Sequence, residues 1–255
     1  MADLLAKRPF GNTGLFVTPV CVGAAPLGDM PDTFAYSVSE ETALATVRAA
    51  FAGPLNFLDT AANYGDGESE RRIGKVIRER GGLPEGYVLA TKADRDMKTG
   101  DFSGEQIKRS IEGSLERLGL DKLQYVYIHD PEHTTFENVM GPQGPLEVLK
   151  EYKDQGVIEH IGMSGGPIPM LIQYVETGEF SAVETHNRYT LLNRSAEPLL
   201  ETAHRLGVAV INAAPYASGL LAKGPDAYAR YVYSEAPPHI LERAKNIADI
   251  CKQFQ

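Results

Sequence analysis

Four side chains in this sequence could handle protons at a reacting centre: Asp59 in LNFLDT, Tyr64 in AANYGDGE, Lys92 ending YVLATK and His129 ending LQYVYIH. Each has a plain alternative when taken singly. A strand-end Asp caps the loop that follows it, a strand-end Lys extends its stem toward solvent, a strand-end His hydrogen-bonds locally, and a loop Tyr packs. The spacing argues otherwise. Three of the four end successive apolar runs, and Tyr64 follows Asp59 by five residues in a loop able to fold back over it. A carboxylate, a phenol, an ammonium and an imidazole converging on one opening make a general acid–base constellation.

Such a constellation needs a scaffold that delivers successive strand ends to one place. The runs VTPVCVG (17–23), LNFLD (55–59), YVLATK (87–92), LQYVYIH (123–129), VIEHIGMS (157–164), SAVETH (181–186) and VAVINAA (208–214) alternate with amphipathic stretches. That is the pattern of βα units on a parallel sheet. Ser39, Ser103 and Pro145 mark helix starts, and Gly119, Gly156 and Gly207 mark helix ends. Strand ends at Gly23, Asp59, Lys92, His129 and Ser164 recur every 33 to 37 residues. The first strand is followed by GAAPLGDMPD, which lacks the G-x-G-x-x-G of an open dinucleotide-binding sheet. The fold class expected is α/β, a (β/α)8 TIM barrel with its reacting centre at the C-terminal ends of the strands, residues 1–255 forming one domain. Only seven βα units can be counted, so the eighth unit is expected to be missing from this chain. The barrel is then C-terminally incomplete, with a gap between VTPVCVG and VAVINAA, unless the 220–238 segment supplies a strand.

Composition narrows the function classes. Apolar residues at 43% and charged residues at 23% fit an ordinary globular chain rather than a disordered one. With 34 acidic and 25 basic side chains, the net charge of −9 argues against nucleic acid or an anionic membrane as partner. No apolar run approaches the roughly 20 residues of a membrane span, and MADLLAKRPFGNTG has no secretory h-region. Cys21 and Cys251 are isolated thiols, which points to a reducing cytoplasm and no zinc site. HDPEH (129–133) would need metal ligands from other loops, and no HxH or HExxH accompanies it. GESERRIGKVIRERGG reads as a helix with a solvated outer face. Cys21 reads as barrel core, Cys251 as helix packing, and Tyr125 and Tyr127 as packing along one strand.

The sequence resembles the aldo-keto reductases. Asp59, Tyr64, Lys92 and His129 match that family's tetrad. The resemblance runs through RPFGNTGLFVTPVCVG, LNFLDTAANYGDGESERRIG, LERLGLDKLQYVYIHDPE, IEHIGMSGG, HNRYTLLNR and APYASGLLAKG, essentially the whole chain. Within the family it is most similar to bacterial sugar and aldose dehydrogenases. This implies hydride transfer between NADP or NAD and a small-molecule carbonyl (aldehyde, ketone or aldose), giving the alcohol or, in reverse, a lactone. Tyr64 is then the general acid/base, Lys92 favours its phenolate, Asp59 keeps Lys92 charged and oriented, and His129 positions the substrate oxygen. An ammonium about 4 Å from a phenol contributes about 4 kcal/mol at an effective dielectric of about 20, a large pull on a group with an ordinary pKa of about 10.

The same resemblance implies cofactor contacts at Gly23, Ser164, His186, Ala213, Tyr216, Ser218, Gly219 and Leu220. Ser164 falls where a Ser meets the nicotinamide carboxamide, while the next position, often Asn, is Gly165. His186 or Asn187 falls near a usual Gln. Ala213 stands where many members stack a Tyr, with Tyr189 or Tyr216 as substitutes. The loop APYASGLL is similar to the segment whose amides and Ser approach the pyrophosphate. Family members continue through an eighth strand and helix that hold the adenosine part, so an open barrel is expected to bind dinucleotide weakly or not at all. The competing reading is a cofactor-binding regulatory module or an inactive incomplete barrel. The intact tetrad favours the enzyme.

Overall fold

The structure, a computed structural model, describes residues 5–254. Seven parallel strands form one sheet in chain order: β1 (Val22–Gly23), β2 (Phe57–Asp59), β3 (Val88–Ala93), β4 (Leu123–His129), β5 (Ile158–Gly165), β6 (Ala182–His186) and β7 (Ala209–Ala213). The longer helices are α1 (Glu40–Ala52), α2 (Glu68–Arg80), α3 (Gly104–Leu118), α4 (Pro145–Asp154), α5 (Ile168–Glu176), α6 (Glu197–Leu206) and α7 (Pro238–Lys252). Their ends follow the sequence signals. The Ser39 and Ser103 hydroxyls accept the N–H groups of Thr42 and Gln106, and Gly119 closes α3 in the left-handed region at φ +69°.

Strand alternation sorts the side chains into two cores. Phe57, Val88, Ala90, Tyr125, Tyr127 and Ala182 fill the interior of the curved sheet. Their neighbours Leu58, Leu89, Val126, Ile128 and Val183 face outward against Val47, Ile73, Ile111 and Leu171 of the helices. With a period of two, the next inner position after Phe57, Ala90, Tyr127 and Ala182 belongs to Asp59, Lys92, His129 and Glu184. The polar ring at the C-terminal strand ends is thus a direct consequence of the apolar packing below it.

The expected strand 17–23 is divided. Phe16–Val17 pairs antiparallel with Arg8–Pro9, and only Val22–Gly23 joins the parallel sheet. Pro19, between them, has no N–H to give a ladder, and the Thr18 N–H donates instead to Asn56 Oδ1 at 2.8 Å. The hairpin floors the barrel by seating Phe10 edge-on against Phe57 and Tyr125, with ring centroids 5.3 and 5.4 Å away.

The sheet does not close. Among the described residues β1 pairs only with β2, and β7 only with β6. A cleft of about 690 Å³ opens between them, bordered by Val20, Cys21, Asp59, Glu184 and Ile211. The 220–238 segment brings no strand to it. That segment forms a short helix, Leu220–Lys223, and an antiparallel hairpin of Arg230–Tyr231 with Ser234–Glu235, separate from the barrel. The expected gap is present.

Two smaller expectations need correction. Cys251 is exposed on α7 rather than packed. The charge-rich α2 is not wholly a solvated face, because Glu70 and Arg72 are buried. Glu70 accepts from the Thr91 hydroxyl at 2.5 Å and from Arg117 Nε at 2.7 Å, so α2 is fastened to β3 and α3 through a charge that shares the inner face with Ile73 and Ile77. No helix among the described residues is long and apolar enough to cross a membrane.

Candidate active site

Lys92 is the hub of the strand-end ring. Its ammonium is fully buried and donates to Asp59 Oδ1, to the Thr60 carbonyl at 2.9 Å and to the Tyr64 hydroxyl at 3.2 Å. Tyr64 reaches this point because the 60–67 loop folds back over the barrel. Its carbonyl accepts the Ser69 N–H at 3.1 Å, and the loop lies directly against Gly28. A second carboxylate, which the sequence reading missed, completes the set: Glu184 Oε2 stands 3.6 Å from Lys92 Nζ.

Burial disfavours the Lys92 charge, yet Asp59 and Glu184 more than offset this and hold the ammonium well above its ordinary range. Burial and Glu184 push Asp59 up to about 7, against the pull of Lys92. Burial also pushes the Tyr64 phenol well above its ordinary value; Lys92 draws it down, while Asp59 and Glu184 oppose Lys92. Lys92 itself favours the phenolate, but burial and the two carboxylates outweigh it, so the net direction is upward. The phenol stays protonated.

His129 stands beside Tyr64, the two rings edge-to-face with centroids 6.0 Å apart. Its Nδ1 is 2.6 Å from Asp94 Oδ1, leaving Nε2 as the nitrogen not held by that carboxylate. Burial opposes charge on His129, but Asp94 outweighs burial and the net direction is upward. Among the described residues no group of three or more His, Cys, Asp or Glu is placed to hold a metal ion.

Residues 19–254 match the model of the Aldo/keto reductase family. The chain belongs to that family. The L-galactose dehydrogenase of Arabidopsis thaliana is 33% identical over 249 residues, spanning 96% of this chain and 75% of that protein. The D-threo-aldose 1-dehydrogenase of a Pseudomonas species is 28% identical over 265 residues, spanning 94% of this chain and 78% of that protein. In fold, the chain is similar to the aldo-keto reductase AKR11C1 from Bacillus halodurans in its holo form. The TM-score is 0.77 at 24% identity, over 96% of this chain and 76% of that one.

The residues through which an aldo/keto reductase of this kind would meet a dinucleotide are unevenly arranged. Ser164 is buried opposite His129 in register, and Gly23 lies opposite Asp59. His186 lies opposite Ala213, its ring Nδ1 3.2 Å from Asn187 Nδ2. Ser164 and Asn187 give a hydroxyl and an amide at the strand ends, a donor–acceptor set that fits a carboxamide. Gly165 has a local reason to lack a side chain, since a Cβ there would meet Glu132 Oε2 at 2.8 Å. Tyr216 is 64% exposed. Ser218 donates its hydroxyl to Asn187 Oδ1 at 3.0 Å. The Gly219 N–H is taken by the Tyr216 carbonyl and the Leu220 N–H by that of Ala217, while the Leu220 side chain packs with Leu192 and Ile240. Both amides are thus already paired within the 216–220 turn.

Asp94 and Glu184 carried a readable signal. Asp94 lies two residues beyond Lys92, and Glu184 two before His186, so each shares the inner face with a residue already singled out. Tyr233, brought by the 230–235 hairpin to 6.0 Å from the His186 ring, carried none.

Proposed function

We propose that the chain is an NAD(P)-dependent oxidoreductase that interconverts a small-molecule carbonyl, an aldose foremost, and its alcohol or lactone by hydride transfer. The observation that carries this is the buried Lys92 ammonium bonded at once to Asp59 and to the Tyr64 hydroxyl, beside His129. The names of the plant and Pseudomonas relatives support a sugar substrate.

In reduction, Tyr64 gives its phenolic proton to the carbonyl oxygen as that atom becomes an alkoxide, and in oxidation it takes the hydroxyl proton back. Its elevated pKa keeps the proton available to give. Lys92 stabilises the phenolate left behind, and Asp59 fixes Lys92 in place. His129, oriented by Asp94, directs Nε2 to the substrate oxygen and holds it for the transfer. A nicotinamide dinucleotide, when bound, supplies or accepts the hydride. Ser164 and Asn187 would hold its carboxamide, with Gly23, His186, Ala213, Tyr216 and Ser218 along its path. The isolated thiols and acidic balance favour a cytoplasmic enzyme of small molecules.

The test is a fluorescence titration with NADPH and with NADH, followed by assays on aldoses and simple aldehydes. Weak but saturable binding of one dinucleotide, weak because the open barrel lacks the unit that holds the adenosine part, with turnover of an aldose is the expected result. Failure of both dinucleotides to bind at millimolar concentration overturns the proposal.

A further inference from the structure

We propose that Glu184 is a positioning residue of this centre, a second counter-ion to Lys92 that holds Tyr64 in its protonated form and so sets the pH range in which the site works. The inference rests on the reading of Tyr64 as proton donor and acceptor.

Glu184 sits on the inner face of β6, in register with Ser164 on one side and Ile211 on the other. It is buried, and its Oε2 has no hydrogen-bond partner although Lys92 Nζ is 3.6 Å away. The contact is one of charge rather than of a formed bond. Asp59 meets the same ammonium from β2, and its Oδ2 is likewise without a partner. Two buried carboxylates therefore share one cation.

The other groups within the field of Glu184 change little in that balance. Tyr127 and Cys21 lie inside the barrel, and burial raises both, so neither adds charge near neutrality. His186 and Tyr233 lie at the mouth; burial lowers the first and raises the second, so both stay neutral. Lys92 is the cation that Glu184, Asp59 and Tyr64 have in common. Ionising Tyr64 would set a third negative charge on it, in a medium where like charges are poorly screened. The upward direction of Tyr64 agrees with this count.

Neutralising Glu184 leaves one carboxylate against Lys92, and the phenolate then forms more readily. In Glu184→Gln the rising limb of alcohol oxidation against pH, which needs Tyr64 as base, should move down by at least about one pH unit, a tenfold gain in rate on that limb. Glu184→Asp keeps the charge and should restore most of the wild-type profile. A lower rate with an unmoved limb would mean a merely structural role and overturn the proposal.

A second readout does not need turnover. Carbon-13 labelling at tyrosine Cζ, with the Tyr64 signal assigned by its loss in Tyr64→Phe, should show Tyr64 ionising at lower pH in Glu184→Gln than in wild type. Equal ionisation in both overturns the role of Glu184 even if the enzyme turns over. A shifted ionisation without any carbonyl turnover supports it and counts against the oxidoreductase reading alone. Should Glu184→Gln not fold, the neutral Glu184→Met, of similar length, is read in the same way: Tyr64 must ionise at lower pH than in wild type, and equal ionisation refutes the proposal.

Discussion

Asp94 Oδ1 lies 2.6 Å from His129 Nδ1, and the other Asp94 oxygen accepts the Asn63 N–H at 2.9 Å. One carboxylate thus ties the end of β4 to the loop that carries Tyr64. Burial disfavours charge on His129, Asp94 outweighs it, and the folded state holds the imidazole proton above the ordinary pKa of 6.5. A raised folded-state pKa contributes stability that is complete below about pH 6.5 and is lost as pH rises through the higher folded value. Asp94→Asn is expected to lower the unfolding free energy by about 1.5–3 kcal/mol at pH 6, and by less at pH 9. Urea denaturation at the two pH values checks this. An equal loss at both would make the contact an ordinary neutral hydrogen bond.

Removing the Tyr64 hydroxyl tests the proton relay. Tyr64→Phe should reduce turnover by about two to four orders of magnitude while dinucleotide affinity, followed by fluorescence, stays close to wild type. A variant keeping more than half of wild-type turnover removes Tyr64 from its assigned role.

Lys92 is needed for the fold as well as for the chemistry. Without it, Asp59 and Glu184 face each other across a buried space with no cation between them. Breaking a buried pair in this way costs about 3–5 kcal/mol, and Lys92→Met should lose that much in chemical denaturation. Adding Asp59→Asn should recover part of it, because one of the stranded charges is then gone. If the double variant is no more stable than the single one, stranded charge is not the cause.

Much of the architecture was legible because apolar runs ending in a polar residue mark both the strand and its terminus. YVLATK and LQYVYIH gave β3 and β4 together with Lys92 and His129, since the same alternation that buries Tyr125 and Tyr127 turns His129 inward. What stayed hidden depends on register between strands distant in sequence. The spacing of Glu184 from His186 sets it on the inner face, but SAVETH does not say which ion it meets until β6 is set beside β5 and Lys92 comes within 3.6 Å. Glu70 looked solvated because it lies in a charge-rich run, although its spacing from Ile73 and Ile77 sets it on the inner face, where Thr91 and Arg117 meet it. The VTPVCVG run misled in the opposite way, its apolar content shared between a barrel floor and a two-residue strand.

The Tyr64 loop keeps its place through a close approach of two glycines. A Cβ on Gly65 would stand 1.9 Å from the Gly28 carbonyl oxygen, and one on Gly28 would stand 2.6 Å from the Tyr64 carbonyl oxygen. Gly65 also adopts φ +63°, a conformation costly to any residue with a side chain. Backbone cannot step aside as a flexible side chain can, so Gly65→Ala must shift the loop or strain it. Overpacking of this kind costs about 1–3 kcal/mol. A displacement of about 1 Å at a reacting group can cost about a hundredfold in rate, so turnover should fall at least about tenfold. Gly81 supplies the comparison: its φ is +78°, but a Cβ there meets nothing within 4 Å. Gly81→Ala should bear only the backbone cost and leave turnover unchanged. Thermal unfolding and turnover of the two variants, read side by side, separate contact from conformation. Equal stability losses with turnover intact in both would show that the Gly28–Gly65 approach does not position Tyr64.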